Sequence, residues 1–252
     1  MWRPLLRSLS DLLWPPACCA CDREAFDADP EDGLCPTCAA QLEPPVVRCP
    51  RCARPVGPFP LAAPCRRCAS ERWALDGIVA AHAYRGVARA LVVALKFRQR
   101  TAAARPLGRR LTQALEDAAL PGDLLVPLPL AAARERRRGY NPAGLLAEEI
   151  ARRTRLDLDP GALVRRRQDV EQSRLAHGAR RRGPRGAFEA RRVRVQGRCV
   201  LLVDDVLTSG ATALSAARAL RRAGALQVVA AVACRSEGHP GAERQADVLA
   251  SP

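Results

Sequence analysis

Hydrophobic and polar positions follow two different patterns along the chain, and the change falls near residue 70. Residues 1–70 contain no long periodic element except at the N-terminus, where five leucines within 1–14 have the spacing of a short amphipathic helix. From residue 73 onward, short apolar runs alternate with segments of helical periodicity. Strands that polar residues do not interrupt, alternating with helices, are typical of a parallel sheet covered on both faces. The pattern therefore predicts an α/β domain behind a small N-terminal module.

The apolar spacing also places individual elements of the larger part. Strands are predicted at four apolar runs, over 78–84, 124–128, 199–203 and 228–233. The segment 87–110 is predicted to be largely helical, and helices are predicted over 142–153 and near 211–222. One face of the last helix carries Ala213, Ala216, Ala217 and Leu220, and Gly224 is a suitable stop. We expect a module at 1–70, a domain at 73–240 and a flexible tail at 241–252.

Composition narrows the class of protein. Forty-eight per cent of the 252 residues are hydrophobic, which provides a core and excludes a disordered chain. Arg7 and Asp11 interrupt the apolar residues of the N-terminus, so no secretory signal is predicted. No run of about 18 apolar residues is present for a membrane span. We therefore expect a cytoplasmic protein whose thiols are reduced or bound to metal.

The cysteines point to metal. Of the 11 cysteines, eight form four Cys-x-x-Cys pairs, at Cys18, Cys21, Cys35, Cys38, Cys49, Cys52, Cys65 and Cys68. Two such turns complete a tetrahedral four-thiolate zinc site, so four pairs predict two structural zinc sites. The spacing allows the pairs to combine in sequence or interleaved, and a redox dithiol set is the less favoured alternative. Cys19 is an additional thiol, expected to pack or to serve as an alternative ligand.

Positive charge is concentrated in one part of the chain. The formal net charge is +15, and residues 130–200 contribute nineteen arginines against eight acidic residues. Residues 1–70 and 201–252 are each neutral. A block of this kind predicts a surface that faces a polyanion, with an ordinary solvated face as the alternative.

The segment from Val200 to Thr212 carries the most specific chemistry. An apolar strand leads to two adjacent carboxylates, followed by a short loop of hydroxyl and small residues that opens a helix. The free N–H groups of a helix N-terminus, together with nearby hydroxyls, bind a phosphomonoester. Adjacent carboxylates accept hydrogen bonds from vicinal hydroxyls or hold Mg²⁺. The segment therefore predicts a site for a sugar phosphate.

This segment resembles the signature of type I phosphoribosyltransferases, which bind 5-phosphoribosyl 1-diphosphate (PRPP) with Mg²⁺. Together with the cysteine pairs, the chain resembles the ComF family, which is associated with natural competence and DNA uptake. The resemblance covers nearly the whole chain and includes Ala94-Leu-Lys-Phe97, Val126-Pro-Leu-Pro129 and Arg138-Gly-Tyr-Asn141. It implies an α/β, type I phosphoribosyltransferase-like parallel sheet with flanking helices, preceded by a small double zinc-ribbon module.

The resemblance also implies roles for particular residues. It assigns the ribose hydroxyls to Asp204 and Asp205, and the 5-phosphate to Thr208, Ser209, Gly210, Ala211 and Thr212. It places 126–129 near the diphosphate and a mobile loop over 165–188. The candidates for the diphosphate and for this lid are Pro127, Arg138, Arg180, Arg181 and Arg182.

Nineteen arginines exceed what PRPP needs, and the surplus suits a nucleic-acid backbone. The candidate residues for this contact are Arg136, Arg137, Arg138, Tyr140, Arg165, Arg166 and Arg167. Only Tyr140 and Phe188 are aromatic in the block, so it offers few rings on which nucleobases could stack.

Three functions follow as hypotheses. The first is a PRPP-binding protein of competence and DNA uptake, transferring phosphoribose with release of diphosphate. The second is a non-catalytic adaptor for single-stranded nucleic acid that keeps the PRPP pocket as a sensor or relic. The third is nucleobase salvage, which is disfavoured because Thr208 stands where many purine-type enzymes carry an aspartate. The expected partners are PRPP, single-stranded DNA and other competence proteins.

Overall fold

The structure is a computed structural model that describes residues 16–42, 48–49, 51–54, 65, 68–69, 74–166 and 186–236. The helix expected within 1–14 and the tail expected at 241–252 lie outside the described residues. Within these ranges no helix is both long and apolar enough to cross a membrane.

The described strands form a central sheet and a separate hairpin. The strands of the sheet are β1 (Gly77–Ala83), β2 (Leu124–Pro127), β3 (Asp157–Leu158), β6 (Cys199–Leu207) and β7 (Gln227–Arg235). The hairpin is antiparallel and consists of β4 (Leu163–Arg165) and β5 (Phe188–Ala190). The order in the sheet is β1-β7-β6-β2-β3, and every neighbouring pair is parallel. The predicted α/β fold with a parallel sheet is confirmed.

Helices cover both faces of the sheet. They are α1 (Pro36–Gln41), α2 (Gly86–Phe97), α3 (Ala104–Ala118), α4 (Ala132–Arg138), α5 (Pro142–Arg153), α6 (Arg192–Val195) and α7 (Ala211–Arg222). Leu201 and Val203 of β6 belong to an apolar core that includes residues of α2, α3 and α5. Val200 and Leu202 belong to a second core with α7 and the hairpin. This alternation follows from the two-residue period of a strand, and it explains why the strands are apolar without interruption.

The segment 87–110, predicted to be largely helical, contains a break between two helices. The helix α2 ends at Phe97, and a 3₁₀ turn over Thr101–Ala103 precedes α3. Gln99 has a left-handed φ of 53°, which reverses the chain at this point. Arg98 and Arg100 on either side of it form ion pairs with Asp22, at 2.8 and 2.7 Å. The break is therefore anchored from the N-terminal module.

The N-terminal module packs into the domain through its first half. Leu34 and Leu42 share one apolar core with Leu91 and Leu95 of α2. Asp32 is buried beneath this contact and pairs with Arg109 of α3. In the described part of the second half, Cys49, Cys52 and Cys68 form a small cluster of their own, against which Cys65 packs.

Candidate functional site

The carboxyl edge of the sheet opens between β2 and β6. These strands are neighbours, with Pro127 opposite Val203. The chain leaves them in opposite directions, since β2 leads through α5 to β3 whereas β6 leads through α7 to β7. Diverging connections of this kind leave a crevice at the strand ends, where ligands of open α/β sheets bind. Because β6 continues past Val203 to Leu207, residues 204–207 border the crevice.

The acidic pair lies inside β6, since this strand is longer than the run at 199–203 predicts. Successive side chains of a strand point to opposite faces, so the two carboxylates differ in their surroundings. Asp205 is buried, and its Oδ1 lies 2.7 Å from Nζ of Lys96 on α2. Asp204 is partly buried, and its Oδ1 accepts a hydrogen bond of 2.8 Å from the backbone N–H of Asp205.

The surroundings of Asp204 and Lys96 raise the pKa of both groups, for different reasons. Burial and, to a lesser degree, the charge of Asp205 raise the pKa of Asp204 to about 7, against the opposing effects of Lys96 and of the hydrogen bond from the Asp205 N–H. Burial lowers the pKa of Lys96, but the charges of Asp205 and Asp204 outweigh it, so this pKa lies above its usual value. Near neutral pH the crevice therefore presents a fixed ammonium group beside a carboxyl that exchanges its proton.

The loop from β6 to α7 has the form of an anion cradle. Thr208, Ser209 and Thr212 are exposed, and Ser209 Oγ accepts a hydrogen bond of 3.3 Å from the N–H of Ala211. Gly210 has a φ of 80°, a left-handed conformation that favours glycine because other residues are strained there. The space around it is open, since a Cβ at this position would meet no atom within 4 Å. The loop presents hydroxyls and the N-terminus of the 12-residue α7 to solvent, which favours a phosphate group.

Arg235 supports this loop from beneath, and the sequence analysis missed it. It is the last residue of β7, lies opposite Leu207 and is 2% exposed. Its guanidinium donates a hydrogen bond of 2.8 Å to the carbonyl of Leu207 and another to the carbonyl of Thr208. The sequence offered one sign of this role. Arg235 directly follows the apolar run of β7, and an arginine at the end of a buried strand needs a polar partner for its guanidinium.

The Gly-Tyr-Asn segment joins the loops at the crevice. Tyr140 Oη donates a hydrogen bond of 2.5 Å to the carbonyl of Leu95, next to Lys96. Asn141 caps α5 by accepting from the N–H of Ala143 at 3.1 Å, and it donates to the carbonyl of Leu128 at 3.0 Å. Tyr140 thus holds the end of α2 against the segment that follows β2.

The predicted arginines are distributed over two elements. Arg136 and Arg137 are exposed on α4 together with Arg134, and Arg138 lies at the end of this helix, with its guanidinium 5.9 Å from the centre of the Phe97 ring. Arg165 lies over the ring of Phe188 at 5.5 Å. Arg166 on the same hairpin pairs with Glu189 at 3.2 Å. Arg167, Arg180, Arg181 and Arg182 lie outside the described residues.

The cysteines form two sites, and their pairing is sequential. Cys18, Cys21, Cys35 and Cys38 make the first tetrad and Cys49, Cys52, Cys65 and Cys68 the second, with the four sulfurs of each within 4.8 Å of one another. In the first, the N–H of Cys35 donates to Cys18 Sγ at 3.4 Å, and in the second the N–H of Cys65 donates to Cys49 Sγ at 3.3 Å.

The thiols of these tetrads suit Zn²⁺. Burial raises the pKa of the Cys18 thiol, but three backbone N–H groups outweigh it and lower the pKa to about 7. The same balance lowers the pKa of Cys49 to about 7. Burial raises the pKa of Cys38, Cys52 and Cys68, so the fit to zinc rests on the geometry of the four sulfurs, which lie within 4.8 Å of one another. A zinc ion bound there would hold the thiols as thiolates. Cys19 stands apart, because it is buried and donates to the carbonyl of Asp32 at 3.5 Å.

Family models agree with these features. A model described as a phosphoribosyl transferase domain matches residues 136–249, and one described as a double zinc ribbon domain matches residues 9–69. The protein is therefore a phosphoribosyltransferase-fold protein that carries an N-terminal double zinc ribbon with two structural zinc sites.

Relatives identify the family. The chain is 34% identical over 209 residues to the DNA utilization protein YhgH of Salmonella typhi, covering 81% of this chain and 91% of that protein. It is 28% identical over 205 residues to Competence protein F of Haemophilus influenzae, covering 79% and 88%. The chain therefore belongs to the ComF family.

Among solved structures, the glutamine PRPP amidotransferase of B. subtilis is 23% identical with a TM-score of 0.36, covering 52% of this chain and 26% of that one.

Proposed function

We propose that this protein binds PRPP with Mg²⁺ at the crevice between β2 and β6, and serves competence and DNA utilization. The observation that carries the proposal is the placement of Asp204 and Asp205 at the carboxyl edge of the sheet, directly before the Thr208–Thr212 cradle. The ribose hydroxyls donate to the carboxylates, and the 5-phosphate binds the loop. The names of the relatives in Salmonella and Haemophilus support the physiological context.

The same residues fit a magnesium ion held together with PRPP. Asp204 is partly buried and has no salt bridge among the described residues, whereas Asp205 Oδ1 faces Lys96 at 2.7 Å. A hard cation prefers such carboxylate oxygens and shares its remaining positions with water and with substrate phosphates. Bound there, Mg²⁺ neutralises charge on the diphosphate.

The chemistry that this pocket supports is transfer of phosphoribose. The bond from C1 of the ribose to the diphosphate oxygen breaks, diphosphate leaves with the electron pair, and a nucleophile bonds to C1. Positioning and stabilisation of the leaving charge supply most of the rate in such a reaction. Pro127 and the residues after it end β2 at the side of the crevice where diphosphate is expected. We place the protein in the cytoplasm, where the zinc thiolates stay reduced.

Thermal unfolding with and without PRPP and Mg²⁺ tests the pocket. PRPP at 100 times its Kd is expected to stabilise the protein by about 2.7 kcal/mol. The double variant Asp204→Asn with Asp205→Asn should lose this protection. The matched control is Glu116→Gln with Asp117→Asn, an adjacent and exposed acidic pair on α3 that should keep it. Absence of protection in the parent protein would refute the proposal.

A second candidate function, binding of single-stranded DNA, is favoured by the charge of α4. Arg134, Arg136 and Arg137 are exposed, and among the described residues none of them lies within ion-pair distance of a carboxylate. Elsewhere in the basic block, Arg194 and Arg198 are paired with aspartates. Unpaired arginines on one helix are suited to a phosphate backbone.

Salt dependence of DNA binding tests this second function. Affinity for a single strand should fall steeply as salt rises, and Arg136→Gln with Arg137→Gln should reduce the slope of log K against log[salt] by roughly 1 to 2. Arg218→Gln with Arg222→Gln, two exposed arginines on α7, is the control of equal charge. A slope that the α4 variant leaves unchanged would exclude this helix as the contact.

A further inference from the structure

Phe97 is an exposed aromatic residue at the border of the crevice. It ends α2 and is 54% exposed, although five other residues of this helix are buried. The residue before it, Lys96, reaches Asp205 at 2.7 Å, so the ring directly follows in sequence the residue that pairs with Asp205. Phe97 lies outside the arginine block in the sequence, which is why the block by itself is poor in aromatic residues.

A second element brings positive charge to the same ring. The guanidinium of Arg138, at the end of α4, lies 5.9 Å from the centre of the Phe97 ring. A second contact joins the same two segments. Tyr140, two residues after Arg138, donates a hydrogen bond of 2.5 Å from its Oη to the carbonyl of Leu95, two residues before Phe97. An aromatic ring and a guanidinium plane are the two surfaces on which an unpaired nucleobase stacks.

We infer that Phe97 and Arg138 form a stacking platform for an unpaired base of single-stranded DNA, whose backbone follows the exposed arginines of α4. The inference rests on the second candidate function, because it takes the backbone contact with α4 from there, and it depends on the PRPP site only in that the platform borders the crevice. Duplex DNA does not fit the platform, because its bases are stacked on one another and their faces are covered. A strand that runs from α4 across Phe97 brings a base next to the predicted ribose site.

Binding of oligonucleotides to the full chain tests the platform. Fluorescence anisotropy with an oligo-dT of roughly 15 nucleotides is compared with an abasic oligomer of the same length, which keeps the phosphates and lacks the bases. Phe97→Ala should weaken binding of oligo-dT by about tenfold and leave the abasic oligomer unaffected. Phe97→Tyr keeps a ring and should bind as the parent does. Phe26→Ala removes another phenylalanine, 67% exposed in the first zinc ribbon, and should change nothing.

Equal binding of oligo-dT by Phe97→Ala and the parent protein would overturn the inference, as would an equal loss for the abasic oligomer. Thermal protection by free nucleobases without binding of oligo-dT would also overturn it. PRPP protection is measured on the same variants, which separates the two proposals. A parent protein that PRPP protects but that binds no oligo-dT refutes the platform alone. Phe97-dependent binding without PRPP protection refutes the PRPP pocket alone.

Discussion

Asp204 and Asp205 are adjacent in sequence, yet the fold gives them different partners. Lys96 pairs with Asp205 from α2, whereas Asp204 is left partly buried without a cation of its own among the described residues. Burial and the charge of Asp205 favour the protonated form of Asp204, while the carboxylate of Asp205 faces the ammonium group of Lys96. The pair is therefore asymmetric before any ligand binds.

This asymmetry predicts a pH-dependent stability. The pKa of Asp204 is raised to about 7 in the folded protein, so the native state holds a proton between roughly pH 4 and 7 that the unfolded chain has released. Stability should therefore fall as the pH rises through this window. Asp204→Asn removes the effect, and at pH 8 it should be more stable than the parent by about 1–3 kcal/mol, with little difference at pH 4.

Urea unfolding at a series of pH values measures this difference. Asp117→Asn, at an exposed position of α3, is the control and should parallel the parent at every pH. If Asp204→Asn shows the same pH slope as the parent protein, the carboxyl of Asp204 does not titrate in this window.

At the scale of elements, the end of β7 supports the backbone at the start of the phosphate loop. The guanidinium of Arg235 binds the carbonyls that begin the loop, and the N–H of Ser236 donates to Leu207 at 2.9 Å. A buried carbonyl that loses its donor keeps its desolvation penalty. The end of β7 therefore fixes the backbone from which the cradle starts.

Arg235→Met should lower the free energy of unfolding by about 2–4 kcal/mol and should abolish stabilisation by PRPP. Arg218→Met, at an exposed position on α7, serves as the control and should change both quantities little. Differential scanning calorimetry with and without PRPP gives both quantities. Undiminished protection in Arg235→Met would show that the loop keeps its shape without this contact.

Sequence patterns predicted the elements with an apolar run or a helical period, and missed those that are very short or have no buried residue. The four strands and α7 follow from apolar runs, and Gly224, with a φ of 97°, follows the end of α7 as predicted. The helix α4 has no buried residue, so its sequence lacks the hydrophobic periodicity that predicts a helix. The hairpin strands β4 and β5 have three residues each, which is too short for a pattern.

At the candidate PRPP site, likewise, only the residues that are close together in sequence could be predicted. The loop from Thr208 to Thr212 could be predicted because its residue types and order are local in sequence. Lys96 and Arg235 reach the loop region from distant positions in the chain, and only the topology brings them there. The pairing of the cysteines likewise needed the fold, since both combinations satisfy the spacing.

At the scale of the whole molecule, the first zinc ribbon and the sheet domain share one core. Cys18, Cys38 and Leu34 belong to the same apolar cluster as Leu95 of α2, the helix that carries Lys96. The second tetrad forms a separate cluster, and of its described neighbours Ala53 reaches the core on the other face of the sheet. The two zinc ions are therefore expected to differ in their effect on the domain.

Loss of the first zinc should destabilise the entire protein. Cys35→Ser is expected to lower the Tm by about 10 °C and to weaken PRPP protection, because the core beneath α2 loses its support. Cys65→Ser, the matched change in the second tetrad, should lower the Tm by less than half as much. Zinc content measured on both variants should fall equally, by about one ion per chain. Equal losses of Tm would contradict a special role of the first ribbon.

Lys96 is the single lysine of the sequence, so the crevice holds the only side-chain primary amine of the chain. An amine-selective acylating reagent at pH 8 therefore has two amine targets, the α-amine and Lys96, and mass spectrometry resolves them. Asp205 keeps the ammonium protonated, so acylation of Lys96 should be slow in the parent protein and faster in Asp205→Asn. Ligands that enter the crevice should slow it further. The protein thus carries a built-in, single-site chemical reporter of whether its pocket is occupied.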